Sequence, residues 1–143
     1  MARDVPDHFF RQSGVVPCRA GASGLEVLLI TSLGRGRWIV PKGVIEPGMS
    51  PEESAALEAA EEAGVEGVVG PELGQLTRDK WGGTCQIRLF VMEVTRVHDE
   101  WPEGDLRQRE WLALGEAKAR TRSSLRRVLR RVPRTWKRWR DGR

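Results

Sequence analysis

The sequence has few of the residues that build zinc sites or disulfide frameworks. Only two cysteines occur among the 143 residues, Cys18 and Cys85, and they lie far apart with no second pair beside them. This excludes a zinc site built on paired cysteines, and we expect two reduced thiols in or near the core. The two histidines, His8 and His98, are isolated in the sequence and are assigned no role.

Long apolar runs are also absent. No stretch approaches the ~18 consecutive apolar residues that a membrane-spanning helix needs, and the longest runs, such as 27–30, have the length of a strand. Residues 1–12 mix Asp, Arg, His and Phe and lack the basic start and continuous apolar stretch of a signal peptide. We therefore predict a cytoplasmic protein with a single hydrophobic core.

The net charge of +4 conceals two segments of opposite sign. Residues 1–117 contain 12 Lys/Arg and 19 Asp/Glu, which gives −7, whereas residues 118–143 contain 12 Lys/Arg and one acid, which gives +11. An acidic body and a basic end attract different partners, so we consider the function of each segment separately.

The pattern of apolar residues and turn signals predicts an α/β fold in which helices pack against a mixed sheet. We expect a flexible lead-in at 1–12, a folded domain at 13–132 and a basic tail at 133–143. Helices are predicted at about 50–63 and about 116–132, with Pro133 ending or kinking the second. Strands are predicted at 13–18, 25–31, 37–40, 65–69, 73–77, 85–95 and 109–113.

The first helix has the clearest boundaries in the sequence. Ser50 is a favourable N-cap, Pro51 suits the first helical position, and Glu53 stands at capping-box spacing from Ser50. The helix is rich in alanine and ends at Gly64.

This helix carries three glutamates: Glu61 and Glu62 follow Glu58 by three and four residues, so Glu62 points the same way as Glu58 and Glu61 lies beside Glu58. Their mutual repulsion is relieved by a hard divalent cation such as Mg²⁺, which binds carboxylate oxygens. The alternative is a solvated acidic helix face. The preceding loop, 41–48, favours a metal site, because its glycines and Lys42 can approach a phosphate closely.

Residues 43–65 resemble the 23-residue Nudix box in both spacing and content. The resemblance extends over roughly residues 13–130, and segments 100–103 and 107–111 are similar to the branch of diphosphoinositol-polyphosphate and diadenosine-polyphosphate hydrolases and their bacterial relatives. The box positions that match are Gly43, Glu58, Ala59, Glu61, Glu62, Gly64 and Val65.

Two positions depart from the box. Met49 stands where the family usually has a Glu, and Leu57 stands where it usually has an Arg. The usual residues form an ion pair that steadies the loop on the helix. Replacing both with apolar residues leaves no unpaired charge, so we interpret the pair as a substituted strut. Glu46 is a candidate to take part of the lost acid's role.

The resemblance implies a Nudix-type α/β/α sandwich with a central mixed sheet and a catalytic helix at about 50–63. It implies a Mg²⁺-dependent hydrolase, with Mn²⁺ as a substitute, that cleaves a phosphoanhydride bond in a nucleoside or inositol polyphosphate. Bound metal ions clamp phosphate oxygens and activate water, which offsets the repulsion between a polyanion and hydroxide.

The resemblance also implies roles for individual residues. Glu58 and Glu62 are metal ligands, helped by a backbone carbonyl near Lys42 and Gly43. Glu61 is a third ligand or the catalytic base, and Glu103 is an alternative base. Gly43, Glu46 and Gly48 belong to the loop. The candidates for binding substrate phosphate are Lys42, Arg19, Arg37, Lys80, Arg88 and Arg109.

The basic end is open to three interpretations. It is a solvated helix face, an arm that steers polyanionic substrates, or a surface that contacts nucleic acid or an anionic membrane. In the last case Trp136 and Trp139 would add stacking or interfacial contact. A non-catalytic Nudix-like module that binds a nucleotide or RNA is the alternative to an enzyme. The sequence leaves open whether the protein is a monomer or a homodimer.

Overall fold

The apolar segments of the chain form one seven-stranded sheet. The computed structural model describes residues 5–143, so the first four residues of the predicted lead-in lie outside the described residues. The strands are β1 (Arg11–Gly21), β2 (Gly24–Thr31), β3 (Trp38–Ile39), β4 (Lys42–Val44), β5 (Val65–Lys80), β6 (Gly83–Val97) and β7 (Arg109–Ala113). The helices are α1 (Pro51–Glu58), α2 (Leu114–Arg120), α3 (Ser123–Leu129) and α4 (Val132–Asp141), with a 3₁₀ turn at Asp7–Phe10 and a π-helical turn at Ala59–Ala63.

The sheet is mixed, as predicted. Strand β1 lies at its centre, antiparallel to β2 and β4 and parallel to β6. Strand β2 continues the sheet through β3 and β7, and β6 continues it through β5. This arrangement places β4, with Lys42 and Gly43, beside the central strand.

Two hydrophobic clusters cover the two faces of the sheet, because successive residues of a strand point to opposite faces. Val16 and Leu29 belong to the cluster that packs against α2, α3 and α4. Val15 and Leu28 belong to the cluster that packs against α1 and its π turn. Helices therefore lie on both faces, and the predicted α/β/α sandwich is confirmed.

The helix predicted at 50–63 is present, but it changes pitch at Ala59. The capping box at its start is complete, since Glu53 N–H donates to Ser50 Oγ (3.0 Å) and Ser50 N–H donates to Glu53 Oε1 (2.9 Å). Its last turn is a π turn, Ala59–Ala63, and Gly64 ends it in the left-handed conformation with φ of +67°.

The single helix predicted at about 116–132 is wrong in its bounds, because this segment and the residues after it form α2, α3 and α4. The chain leaves α2 at Thr121, whose backbone is extended and whose hydroxyl donates to the carbonyl of Ala117 at 3.1 Å. Pro133 lies in the first turn of α4, where a missing N–H costs no hydrogen bond, so it begins a helix instead of ending one.

Two further segments differ from the sequence prediction. The strands expected at 65–69 and 73–77 are parts of the single strand β5, which is irregular between Glu66 and Gly74. Within the predicted lead-in, Asp7–Phe10 forms a 3₁₀ turn and β1 already begins at Arg11. Cys18 and Cys85 are buried free thiols, as expected, and burial raises the pKa of the Cys18 thiol. None of the helices in the described part of the chain combines the length and apolar character needed to cross a bilayer.

Candidate active site

The helix formed by α1 and its π turn holds its glutamates at the edge of the sheet. The alanines Ala55, Ala59 and Ala63 are fully buried against the sheet, so the helix approaches it closely. The carboxylates of Glu58 and Glu62 extend from the side of this helix toward β4. The π turn widens the helix at the glutamates, and π turns frequently occur at functional sites.

Glu58 rests on the backbone of Gly43. A Cβ atom built on Gly43 would lie within 2.6 Å of all three atoms of the Glu58 carboxyl group, so only glycine leaves room for it. Burial, the Glu62 carboxylate and a hydrogen bond with Glu62 raise the pKa of Glu58 to about 8, and the charges of Glu61 and Glu103 contribute further. The four acids are therefore close enough to interact electrostatically.

Glu62 is the more deeply buried partner of this pair, with 9% of its surface exposed. Its Oε1 accepts the backbone N–H of Lys42 at 3.2 Å, and its Oε2 lies 3.6 Å from Arg107 Nη2. Burial raises the pKa of Glu62, while the Arg107 cation and the Lys42 N–H act in the opposite direction. The carboxylates of Glu58 and Glu62 thus share a hydrogen bond in an environment that opposes two negative charges.

The acidic loop after β6 is fastened to the end of the glutamate helix. Glu103 N–H donates to the carbonyl of Glu61 at 3.1 Å, and the Trp101 indole N–H donates to the carbonyl of Glu62 at 3.0 Å. These bonds satisfy carbonyls that the helix end leaves without partners. They also bring Glu103 to the side of the glutamate pair, as its effect on the pKa of Glu58 shows.

Arg107 is a site residue to which the sequence analysis assigned no role. Its side chain is 7% exposed, and its Nε donates to Glu103 Oε1 at 2.8 Å while its Nη2 faces Glu62. It also donates to the carbonyl of Thr31 at 2.9 Å, which fixes it to β2. The only signal in the sequence was its position four residues after Glu103.

The carboxylate pair suits a hard divalent cation by its chemistry, because Mg²⁺ prefers oxygen ligands and would relieve the repulsion described above. Gly43 leaves room for the carboxylate that would bind it. Within residues 5–143, however, no group of three or more His, Cys, Asp or Glu side chains is arranged to hold a metal ion. Glu58 and Glu62 are the two predicted ligands that hydrogen-bond to each other, while Glu61 remains partly exposed beside them.

A cavity of about 510 Å³ with strongly basic walls begins at Lys42. Lys42 belongs to both places, since its N–H binds Glu62 and its side chain lines the cavity. The apolar residues that line the cavity include Trp38, Leu76 and Leu125. The cationic residues of this wall are Arg35, Arg37, Lys42, Arg78 and Arg122.

The cations of the basic cavity lie close enough to repel one another. The Arg122 cation is the main cause that lowers the pKa of Arg37, and two neighbouring arginines lower it further. Burial lowers the pKa of Lys42, and the Arg78 cation adds to this effect. Like charges held together without acids are stabilised by an anion, so the cavity is suited to a ligand with several phosphates.

The other predicted phosphate ligands are engaged elsewhere. Arg19 Nε pairs with Glu26 at 2.8 Å, and its guanidinium lies 4.0 Å from the centre of the Trp111 ring. Arg88 is bound by Glu72 at 2.7 Å. Lys80 lies at the exposed end of β5, 4.5 Å from the Trp81 ring, although its charge contributes to the lowered pKa of Lys42.

Arg109 binds backbone carbonyls. Its Nη1 donates to the carbonyl of Ala63 at 2.9 Å, and its Nη2 donates to the carbonyl of His98. The guanidinium also stacks 3.8 Å from the centre of the Trp101 ring. This geometry makes Arg109 a clamp between the end of the glutamate helix and the acidic loop.

Comparison with known proteins assigns the chain to a family. The model of the NUDIX domain family matches residues 9–132. The chain belongs to the NUDIX family. Nudix hydrolase 21, chloroplastic, of Arabidopsis thaliana is 37% identical over 110 residues, which cover 73% of this chain and 56% of that protein. Diphosphoinositol polyphosphate phosphohydrolase 3-alpha of Mus musculus is 33% identical over 111 residues, covering 76% of this chain and 67% of that protein.

The structural comparison shows the same fold. The crystal structure of the C. elegans Ap4A hydrolase superimposes with a TM-score of 0.71 at 20% identity, covering 86% of this chain and 95% of that one. The chain spans about half the length of the plant Nudix hydrolases it matches. Two of these relatives are named chloroplastic and mitochondrial, and the cytoplasmic location stays a prediction.

The two departures from the Nudix box lie on α1 and at the end of the loop that precedes it, which we call the Nudix loop. Leu57 is 43% exposed, and the Met49 sulfur accepts a hydrogen bond from Ser54 Oγ at 3.9 Å. Glu46 is exposed and lines a second cavity of about 400 Å³ on this loop, together with Gly48, which has a φ of +86°. Met49 therefore steadies the loop on α1 through Ser54.

Proposed function

We propose that this Nudix protein hydrolyses a phosphoanhydride bond in a nucleoside or inositol polyphosphate, using Mg²⁺, or Mn²⁺ as a substitute, held by Glu58 and Glu62. The observation that carries the proposal is the shared position of Lys42. Its backbone N–H binds Glu62, and its side chain lines the basic cavity. A polyphosphate bound in the cavity would therefore have phosphates next to the carboxylate pair.

A metal ion held by Glu58 and Glu62 would supply charge neutralisation and would lower the pKa of a bound water. The residues of this chain supply position. Gly43 admits the Glu58 carboxylate, and Arg107 orients both Glu62 and Glu103. The cavity cations bind the phosphates that are not cleaved, so that binding energy is used to orient the reacting bond.

We propose Glu61 as the base, or as a third metal ligand, in preference to Glu103. The Glu103 carboxylate already accepts the Arg107 guanidinium at 2.8 Å, so this oxygen is less available to bind the attacking water. Within the described residues, Glu61 forms no side-chain hydrogen bond or ion pair, and it is partly exposed next to Glu58. Glu103 then helps to position Arg107.

The cavity favours a substrate with several phosphates beyond the one that is cleaved. Five cations line a space of about 510 Å³, which is more positive charge than a single diphosphate requires. The similarity to a mouse protein named diphosphoinositol polyphosphate phosphohydrolase supports the inositol class. The apolar surface around Trp38 leaves room for a nucleobase, so dinucleoside polyphosphates are the second class.

A panel of substrates tests the proposal. Phosphate release is measured with Mg²⁺ and with a chelator on diphosphoinositol polyphosphates, diadenosine polyphosphates, nucleoside triphosphates and ADP-ribose. We expect Mg²⁺-dependent release from one of the first two classes. Thermal stabilisation by these compounds without turnover on any of them would instead establish a non-catalytic binding module.

A further inference from the structure

The basic residues of the segment 126–143, which contains most of α3 and all of α4, fall into two groups. One group is tied to the protein: Arg126 donates to the carbonyls of Lys118 and Thr121, and Arg131 donates to the carbonyl of Leu73. The same group includes three residues that pair with acidic side chains. Arg140 and Arg143 pair with Glu93, and Lys137 pairs with Asp141.

The second group consists of four exposed arginines whose side chains form no hydrogen bond or ion pair within residues 5–143. We call them the outer stripe, and they are Arg127, Arg130, Arg134 and Arg138. No acidic residue occurs between 117 and 140, so no acid from this segment alternates with them.

The outer stripe runs along α3, the junction at 130–131 and α4. Its members are separated by three, four and four residues, which places them on one face of a helix. Arg130 and Arg131 have right-handed helical backbones, so the face continues from α3 into α4. At 1.5 Å per residue the stripe is about 16 Å long. Like charges at this spacing destabilise a helix, and an extended anion along the stripe would relieve the repulsion.

The two tryptophans of α4 do not extend this surface. Trp136 is 8% exposed and belongs to the hydrophobic core, and Trp139 packs against the same core beneath Arg143, 4.0 Å from its guanidinium. Trp136 is thus enclosed in the core, and the partly buried ring of Trp139 is occupied by Arg143, so neither presents an open stacking face. The partner of the outer stripe is therefore contacted through its charge alone, which differs from membrane-surface helices with exposed aromatic residues.

We propose that the outer stripe binds the phosphate backbone of a nucleic acid, independently of base sequence. A line of guanidinium groups matches a line of phosphates better than it matches the plane of a membrane surface. This surface is separate from the basic cavity, and the proposal stands whether or not the chain hydrolyses a polyphosphate.

Fluorescence anisotropy of a labelled RNA hairpin and of a labelled DNA duplex, measured over a series of salt concentrations, tests the proposal. The variant R134Q/R138Q removes two members of the stripe, and R140Q/R143Q removes the same charge at the end of α4 and just after it, from residues that pair with Glu93. For a DNA duplex we expect the stripe variant to bind about tenfold or more weakly and the slope of log affinity against log salt to fall by about two. The control variant R140Q/R143Q should keep most of the affinity and most of the salt slope of the parent.

Several results would overturn the proposal. They are absence of binding to both nucleic acids at low salt, equal losses in the two variants, or an unchanged salt slope in R134Q/R138Q. Binding to vesicles of phosphatidylcholine and phosphatidylserine without binding to nucleic acid would assign the stripe to a membrane surface instead. Hydrolysis of the panel substrates by R134Q/R138Q is expected to equal that of the parent, which separates this proposal from the proposed function.

Discussion

The carboxyl group of Glu58 fills the space that a side chain on Gly43 would occupy. These residues are fifteen positions apart, on α1 and on β4, and the pairing of β4 with the central strand brings them together. The glycine at the start of the Nudix loop is thus required by close packing, because its φ is not in the left-handed region. Its absence of a Cβ atom allows a partly buried carboxylate to approach the backbone.

Replacing Gly43 with alanine should displace Glu58 while the fold is kept. A shift of about 1 Å at a reacting group costs on the order of 100-fold in rate, so we expect turnover to fall by about that factor. The control is Gly115→Ala, a site in α2 at which an added Cβ meets no atom within 4 Å. Equal turnover in parent and Gly43→Ala proteins would show that the position of Glu58 is not important.

Arg122→Gln should weaken substrate binding more than it slows the reaction. Arg122 lines the basic cavity, and removing one charge-assisted contact to a phosphate should raise KM about tenfold with a small change in kcat. The matched control is Arg96→Gln, an exposed arginine of β6 outside the cavity. Equal KM values for the two variants would show that the basic cavity does not bind the substrate.

Arg109→Lys should lower stability and leave phosphate binding unchanged. A lysine lacks the planar fork whose two nitrogens bind the carbonyls of Ala63 and His98 and which stacks on Trp101, and we expect a loss of about 1–3 kcal/mol in the free energy of unfolding. Urea unfolding followed by tryptophan fluorescence measures the loss. A raised KM at unchanged stability would return Arg109 to the phosphate ligands.

The stability of the protein in a metal chelator should fall as the pH rises from about 5 to about 8. The pKa of Glu58 is about 8 in the folded protein, above its ordinary value of 4.5, so the folded state holds a proton that the unfolded state releases in this range. Stability is therefore present at low pH and lost as pH passes through the folded pKa. Glu58→Gln should flatten the plot of melting temperature against pH. An unchanged slope in this variant would show that other groups cause the pH dependence.

Much of the fold and the central pair of acids could be predicted from the sequence because both depend on local patterns. Ser50, Pro51 and Glu53 determine where α1 begins, and helical spacing places Glu58 near Glu62. The π turn was not foreseen, because no residue type is specific for it. The division of the last helix at Thr121 was not foreseen, because a threonine hydroxyl can bond to carbonyls of the preceding turn inside a helix as well as at its end.

The basic cavity could not be predicted because its residues come from four separated parts of the chain. Arg78 and Arg122 lie on β5 and in front of α3, and only the packing of α3 against the sheet brings them near Lys42. Arg109 had the right charge for a phosphate ligand, but its hydrogen bonds to backbone carbonyls depend on the position of the helix end. Long-range contacts of this kind leave no periodic signal in a sequence.

The most direct measurement is the Mg²⁺-dependent turnover of Glu58→Gln and Glu62→Gln on the best substrate of the panel. The amide is similar in size to the carboxylate but lacks its charge, so we predict a fall of about 100-fold or more with the fold unchanged. Glu52→Gln, an exposed acid in the first turn of α1, should retain full turnover. Turnover equal to that of the parent in either Glu58→Gln or Glu62→Gln would contradict the account.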